Sequence, residues 1–158
     1  MHGRMTRSIM GAFTIAALAA GLAVITAIPG SATPPTGGAS TTVLARGTYN
    51  GNVDFVTVVN TFPGKDPTTG AVSSSGWHSH PGETTVIVTS GAITLFKGSD
   101  PCHGRTFSAG QAFTEEPTQT YNGVNMGSDP AVVYVTFQKV PVGGSPRIDQ
   151  LAPATCPS

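Results

Sequence analysis

The sequence is short of charge, of cysteine and of helical periodicity, and each shortage excludes a class of protein. Lysine and arginine number 8, as do aspartate and glutamate, so the formal net charge of the 158 residues is zero with histidine neutral. No basic run or stripe breaks that balance. A nucleic-acid partner is therefore not expected, nor attraction to an anionic membrane, apart from any contact made by the N-terminal segment. Only two cysteines occur, Cys102 and Cys156, and they lack the paired Cys/His spacing of a structural zinc site. Beyond the first 32 residues no stretch repeats apolar residues every three or four positions for long enough to predict a helix. There is no Gly-x-Ser-x-Gly elbow, so Ser73-Ser74-Ser75 reads as a flexible loop rather than a nucleophile's setting. No glycine loop with a lysine is present to cradle phosphate.

What the chain does contain begins with a basic start at His2, Arg4 and Arg7, an uncharged apolar run from Ile9 to Ile28, and then Pro29-Gly30-Ser31-Ala32. That order is the pattern of a secretory signal, with cleavage after Ala32. The run is also long enough to span a bilayer, so an uncleaved N-terminal anchor is the alternative. Both readings put the folded part outside the cytoplasm, secreted or otherwise extracytoplasmic. An even cysteine count in such a chain predicts a Cys102–Cys156 disulfide. Closing a loop of that size is worth roughly 3–4 kcal/mol if unstrained.

Residues 33–42 are Thr, Pro, Gly, Ser and Ala without one large apolar side chain, the composition of a disordered linker. Short Val/Ile/Phe/Thr runs follow, at 43–45, 53–59, 84–88, 92–96, 111–114 and 131–138. Pro63-Gly64, Pro81-Gly82, Ser90-Gly91, Asp100-Pro101, Asn122-Gly123 and Asp129-Pro130 are placed as the turns between them. Many short strands with no helix predict a single all-β domain over residues 43–140, a sandwich, barrel or jelly roll. Residues 141–158, rich in proline and glycine, read as an extended tail. In the last run Ala131, Val133, Val135 and Phe137 share one face, which alternates with that of Val132, Tyr134, Thr136 and Gln138.

Within "GWHSHPGETTVIVTSG", His78 and His80 stand two apart and so project from the same side of a strand, with Trp77 on the other. Two imidazoles aimed into a barrel can share one divalent ion. Glu115-Glu116 reads as a solvated loop pair, since neighbouring side chains diverge.

The same stretch resembles the first motif of the cupin superfamily, in which His78, His80 and the turn glycine Gly91 match in position. "AGQAFTEEPTQTYNGVN" resembles the second motif at Gly110, Pro117 and Asn125. The resemblance implies a cupin-type β-barrel, the double-stranded β-helix or jelly roll, and a transition metal such as Zn, Mn, Fe, Ni or Cu. It also allows a homodimer. Its second-motif histidine falls on Tyr121 and its glycine near Gln119, while the first-motif glutamate belongs at Thr84 or the residue after it. The nearby carboxylate is Glu83, which a bulge at Pro81-Gly82 could turn inward. The metal ligands implied are thus His78, His80 and Glu83, with Thr85, Gln119 and Tyr121 lining a ligand site.

Three functions remain open on the sequence. The domain binds a small polar organic ligand beside a metal held by His78 and His80, with turnover undecided. Alternatively it is a metal-free binding module, or a structural cupin of the cell envelope.

Overall fold

The structure is a computed structural model and describes residues 32–153. The proposed signal segment, apart from Ala32, and Cys156 lie outside the described residues. Two antiparallel sheets face one another. The first has the order β1-β2-β10-β5-β8, built from Ser40–Tyr49, Val53–Phe62, Ala131–Pro141, Thr84–Ser90 and Ala112–Glu115. The second runs β11-β4-β9-β6-β7, from Ile148–Asp149, His78–Ser79, Tyr121–Asn125, Ala92–Lys97 and Asp100–Ser108, with β3 (Ser73–Ser74) also on β9. No helix occurs among the described residues.

Alternation dictates what lies between the sheets. Strand β10 buries Ala131, Val133, Val135 and Phe137, and β2 buries Val56, Val58 and Phe62. Ile93, Leu95, Phe107 and Tyr121 close over them from the second sheet. Each aliphatic or aromatic side chain so buried contributes about 1.5–3 kcal/mol. A register shift between Phe137 and Val140, with Lys139 at φ 53°, inserts one residue, so that Val140 and not Lys139 faces inward.

The inward residues of the first sheet line up in cross-strand rows. Val56, Phe137, Thr84 and Glu115 form one row, Val58, Val135, Val86 and Phe113 the next, and Asn60, Val133 and Val88 a third. Beyond the first of these rows Asp54, 1 % exposed, faces Val140. Its carboxylate accepts hydrogen bonds from Gly143 N–H (2.9 Å), the Thr48 hydroxyl (2.7 Å) and Arg46 Nη1 (2.6 Å). Those donors, the Gly143 amide foremost, hold its pKa below the usual carboxylate value. They also fasten the start of the C-terminal tail to the barrel.

Three segments differ from the sequence expectation. Residues 33–42 are not free chain: Thr36 bridges Ser74, the Thr33 hydroxyl accepts from Trp77 N–H at 2.7 Å, and β1 begins at Ser40. A stretch with no core side chains is ordered here through its backbone and hydroxyls. Asn122-Gly123 is no turn but the middle of β9, paired with β6. Asp100-Pro101 opens β7, which pairs with β6 on one side only.

Gly82 fixes how the chain enters β5. Its position presses against the backbone of Gln138, and a Cβ there would overlap the Gln138 carbonyl. We expect Gly82→Ala to lower the unfolding free energy by about 2–3 kcal/mol in urea titrations. Gly47→Ala, where nothing lies within 4 Å, should stay within about 0.5 kcal/mol of the parent.

Candidate metal and ligand site

Strand β4 is only two residues long, yet it carries the site's main feature. His78 and the adjoining His80 point the same way, their rings 4.8 Å apart and edge to face. The His80 ring also lies against Phe137, 4.9 Å between centroids. Glu115, at the end of β8, completes the group. One ligand atom from each of the three lies within 4.8 Å of the others. All three residues are buried, at 7, 2 and 4 % exposure.

Hydrogen bonds fix which ring nitrogens are free. Nδ1 of His78 lies 2.8 Å from the Gly76 carbonyl, and Nδ1 of His80 lies 2.7 Å from the Pro146 carbonyl. A carbonyl only accepts, so both Nδ1 atoms carry hydrogen, and both rings present Nε2 to the site. Among the described residues, Nε2 of His78 takes no hydrogen bond. Nε2 of His80 meets Glu115 Oε2 at 2.8 Å, one proton lying between them. Burial lowers the pKa of His78 to about 4, opposed by the Glu115 carboxylate and reinforced by Arg147 and His80. It is therefore neutral at neutral pH, the form that coordinates metal.

Two neutral-ring nitrogens and one carboxylate suit a first-row divalent ion, and the two-histidine, one-carboxylate set leaves coordination positions open. Bonds of about 2.0–2.2 Å would bring the donors to roughly 3–3.5 Å from one another. With the donors up to 4.8 Å apart, the widest side needs to close by roughly 1–2 Å.

The other residues singled out from sequence lie elsewhere. Glu83 is exposed: its carbonyl accepts from Gln138 N–H at 3.0 Å, so the ladder continues through it in register and alternation turns Thr84 inward and Glu83 out. Thr84, fully buried, pairs directly with Glu115. The site's carboxylate thus comes from the neighbouring strand and not from β5. Glu115 is not a solvated loop residue, because β8 extends to it and it shares the inward face with Phe113 two positions before. That Phe-x-Glu alternation was the signal available in the sequence. Thr85 faces outward between Thr114 and Thr136, and Gln119 is exposed in the loop before β9. Tyr121 lies opposite His78 but buries its ring in the core. Its hydroxyl accepts from Glu116 N–H at 3.0 Å, and burial raises its pKa, so it stays a neutral phenol.

The cluster sits at one end of a cavity of about 260 Å³ whose walls are Val58, Val86, Val133, Val135, Ile93 and Phe113. Pro146 and Arg147 of the tail border it near the histidines. Arg147 is held by Asp149 (Nε to Oδ1, 2.6 Å) and by the Thr33 carbonyl (Nη2, 3.4 Å).

Two facing antiparallel sheets around a His/His/Glu group, with a hollow between them, define a double-stranded β-helix domain with a candidate metal centre. Residues 69–137 match the family model described as cupin domain. That match, together with the fold, supports a cupin domain over this part of the chain. Similar solved structures share the fold. A cupin-like protein from Thermotoga maritima is 20 % identical, with 75 % of this chain and 80 % of that one covered and a TM-score of 0.55. An uncharacterised conserved protein with a double-stranded β-helix domain from Klebsiella pneumoniae is 21 % identical over 77 % and 86 % (TM-score 0.53). A cupin domain from Bordetella pertussis is 19 % identical over 70 % and 100 % (TM-score 0.51). No curated protein matches the chain.

The buried neutral imidazole of His78 makes stability depend on pH. Its folded pKa is about 4, below the ordinary imidazole value of 6.5. The unfolded chain therefore binds the proton first, and the contribution is complete above pH 6.5 and lost as pH falls toward 4. We expect the metal-free protein to lose about 3 kcal/mol of unfolding free energy across that window, read by urea titration at stepped pH. His78→Gln should flatten the slope.

Proposed function

We propose that this protein is an exported cupin domain that binds a small organic ligand beside a divalent transition metal held by His78, His80 and Glu115. The observation that carries this reading is the buried His/His/Glu group at the end of a largely apolar cavity. Zn, Mn, Fe, Ni and Cu all accept such donors. A metal bound there supplies Lewis-acid activation of a ligand oxygen or of water. The chain's own residues do the rest. The Gly76 and Pro146 carbonyls orient the two rings, Phe137 backs His80, and the valine walls keep water from the ligand's body. Export rests on the N-terminal sequence pattern, and a Cys102–Cys156 bond would suit an oxidising compartment.

A metal-free binding module is the second reading, favoured by one observation. The 2.8 Å hydrogen bond between His80 and Glu115 satisfies both groups without an ion.

Elemental analysis of untagged full-length protein, followed by zinc titration, separates the two. We expect near-stoichiometric transition metal, and a loss of zinc affinity of more than about 100-fold in His80→Ala and in Glu115→Ala. Glu83→Ala and Gln119→Ala should bind as the parent does. Protein that arrives empty and takes up no zinc would establish the metal-free reading.

A further inference from the structure

The inward face of β2 carries two polar residues outside the metal site: Asp54, whose partners fasten the tail, and Asn60, whose side chain neither that site nor the fold's hydrogen bonds use. Val56, Val58 and Phe62 fill alternate positions, and Asn60 occupies the position between Val58 and Phe62. It lines the same cavity as the histidines. Its Oδ1 is buried and accepts no hydrogen bond. Among the described residues its amide nitrogen has no partner either. Asn60 is half-buried, and its buried carbonyl oxygen with no donor costs free energy that a leucine of similar shape would not, so its use lies in what enters the cavity.

The rows of the first sheet place it. Asn60 belongs to the row of Val133, and Phe137, which packs against His80, belongs to the row four residues along β10. That separation is about 13 Å along the strands. The row between is wholly apolar, Val58, Val135, Val86 and Phe113. The cavity therefore has two polar ends and an apolar middle. One end holds the His/His/Glu group with Arg147 beside it, whose Nη1 has no partner among the described residues. The other end offers an uncharged amide, able both to donate and to accept, which suits a neutral group better than a buried charge.

We infer that the ligand is a small monocarboxylic acid with an apolar aliphatic or aromatic body and a hydroxyl or amide group at its far end, which Asn60 recognises. This deepens the reading of the cavity as a ligand site; the carboxylate is assigned to the end with the metal and Arg147. Asn60 is a specificity determinant and has no part in holding the metal.

Hexanoate and its ω-hydroxy analogue are suitable probes, titrated calorimetrically into full-length protein with and without zinc. In the parent, the hydroxy acid should bind about tenfold more tightly than hexanoate. Asn60→Leu should erase that preference, keep hexanoate binding, and raise the Tm of ligand-free protein by several degrees, because the unpartnered amide is gone. Equal binding of the two acids by the parent, an unchanged preference in Asn60→Leu, or a lowered Tm would each overturn the assignment. A hydroxyl preference that persists without zinc supports Asn60's role, whereas hexanoate affinity unchanged by zinc would refute the metal's part in holding the carboxylate. Binding of neither acid removes the ligand class altogether, even if zinc is taken up.

Discussion

A carboxylate drawn out of water among valines and phenylalanines costs several kcal/mol unless a donor meets it. In this protein Glu115 is met by His80 Nε2, and most of the site follows from that contact. His80 can face the carboxylate because its other nitrogen is tied to the Pro146 carbonyl and its ring rests on Phe137. Pro146 is in place because Asp54 bonds Gly143 and Arg46 bonds Gly144. One buried pair is thus supported by three segments far apart in sequence. The same pair is where an ion would be taken up, so the hydrogen bond between His80 and Glu115 competes with ion binding.

The fold was legible because it rests on alternation, a property local to each strand. The split of β10 into Ala131/Val133/Val135/Phe137 and its opposite face could be written from sequence alone, and the common direction of His78 and His80 follows from the same period of two. The carboxylate was not legible. Choosing between Glu83 and Glu115 requires knowing that Gln138 bonds the Glu83 carbonyl just before β5 and that β8 lies beside β5, which is pairing information no single strand contains. Strand β9 was obscured for a related reason. Asn-Gly is a strong local turn signal, and here tertiary pairing on both sides of the strand overrides it. Residues 33–42 lack the bulk to order themselves, so only the contacts of Thr33 and Thr36 reveal their place.

Polar residues on the inward face divide into two kinds. Asp54 accepts from three donors and Glu115 meets His80, and these partners tie distant segments together. Asn60 is left unmatched between two apolar neighbours. Thr84, buried beside Glu115, also leaves its Oγ1 without a partner, so of the two unmatched inward groups Asn60 is the one that borders the cavity.

The two ends of the described chain meet: Ala32 bridges Leu151, and Thr33 N–H donates to the Gln150 carbonyl at 3.1 Å. Tension applied across those ends would load this short seam first and leave the long pairing of β2 with β10 untouched. Peeling would then run back along the tail through β11 to Pro146, releasing the His80 ring while the barrel stood intact. The His/His/Glu arrangement is accordingly more fragile under mechanical pull than the barrel around it.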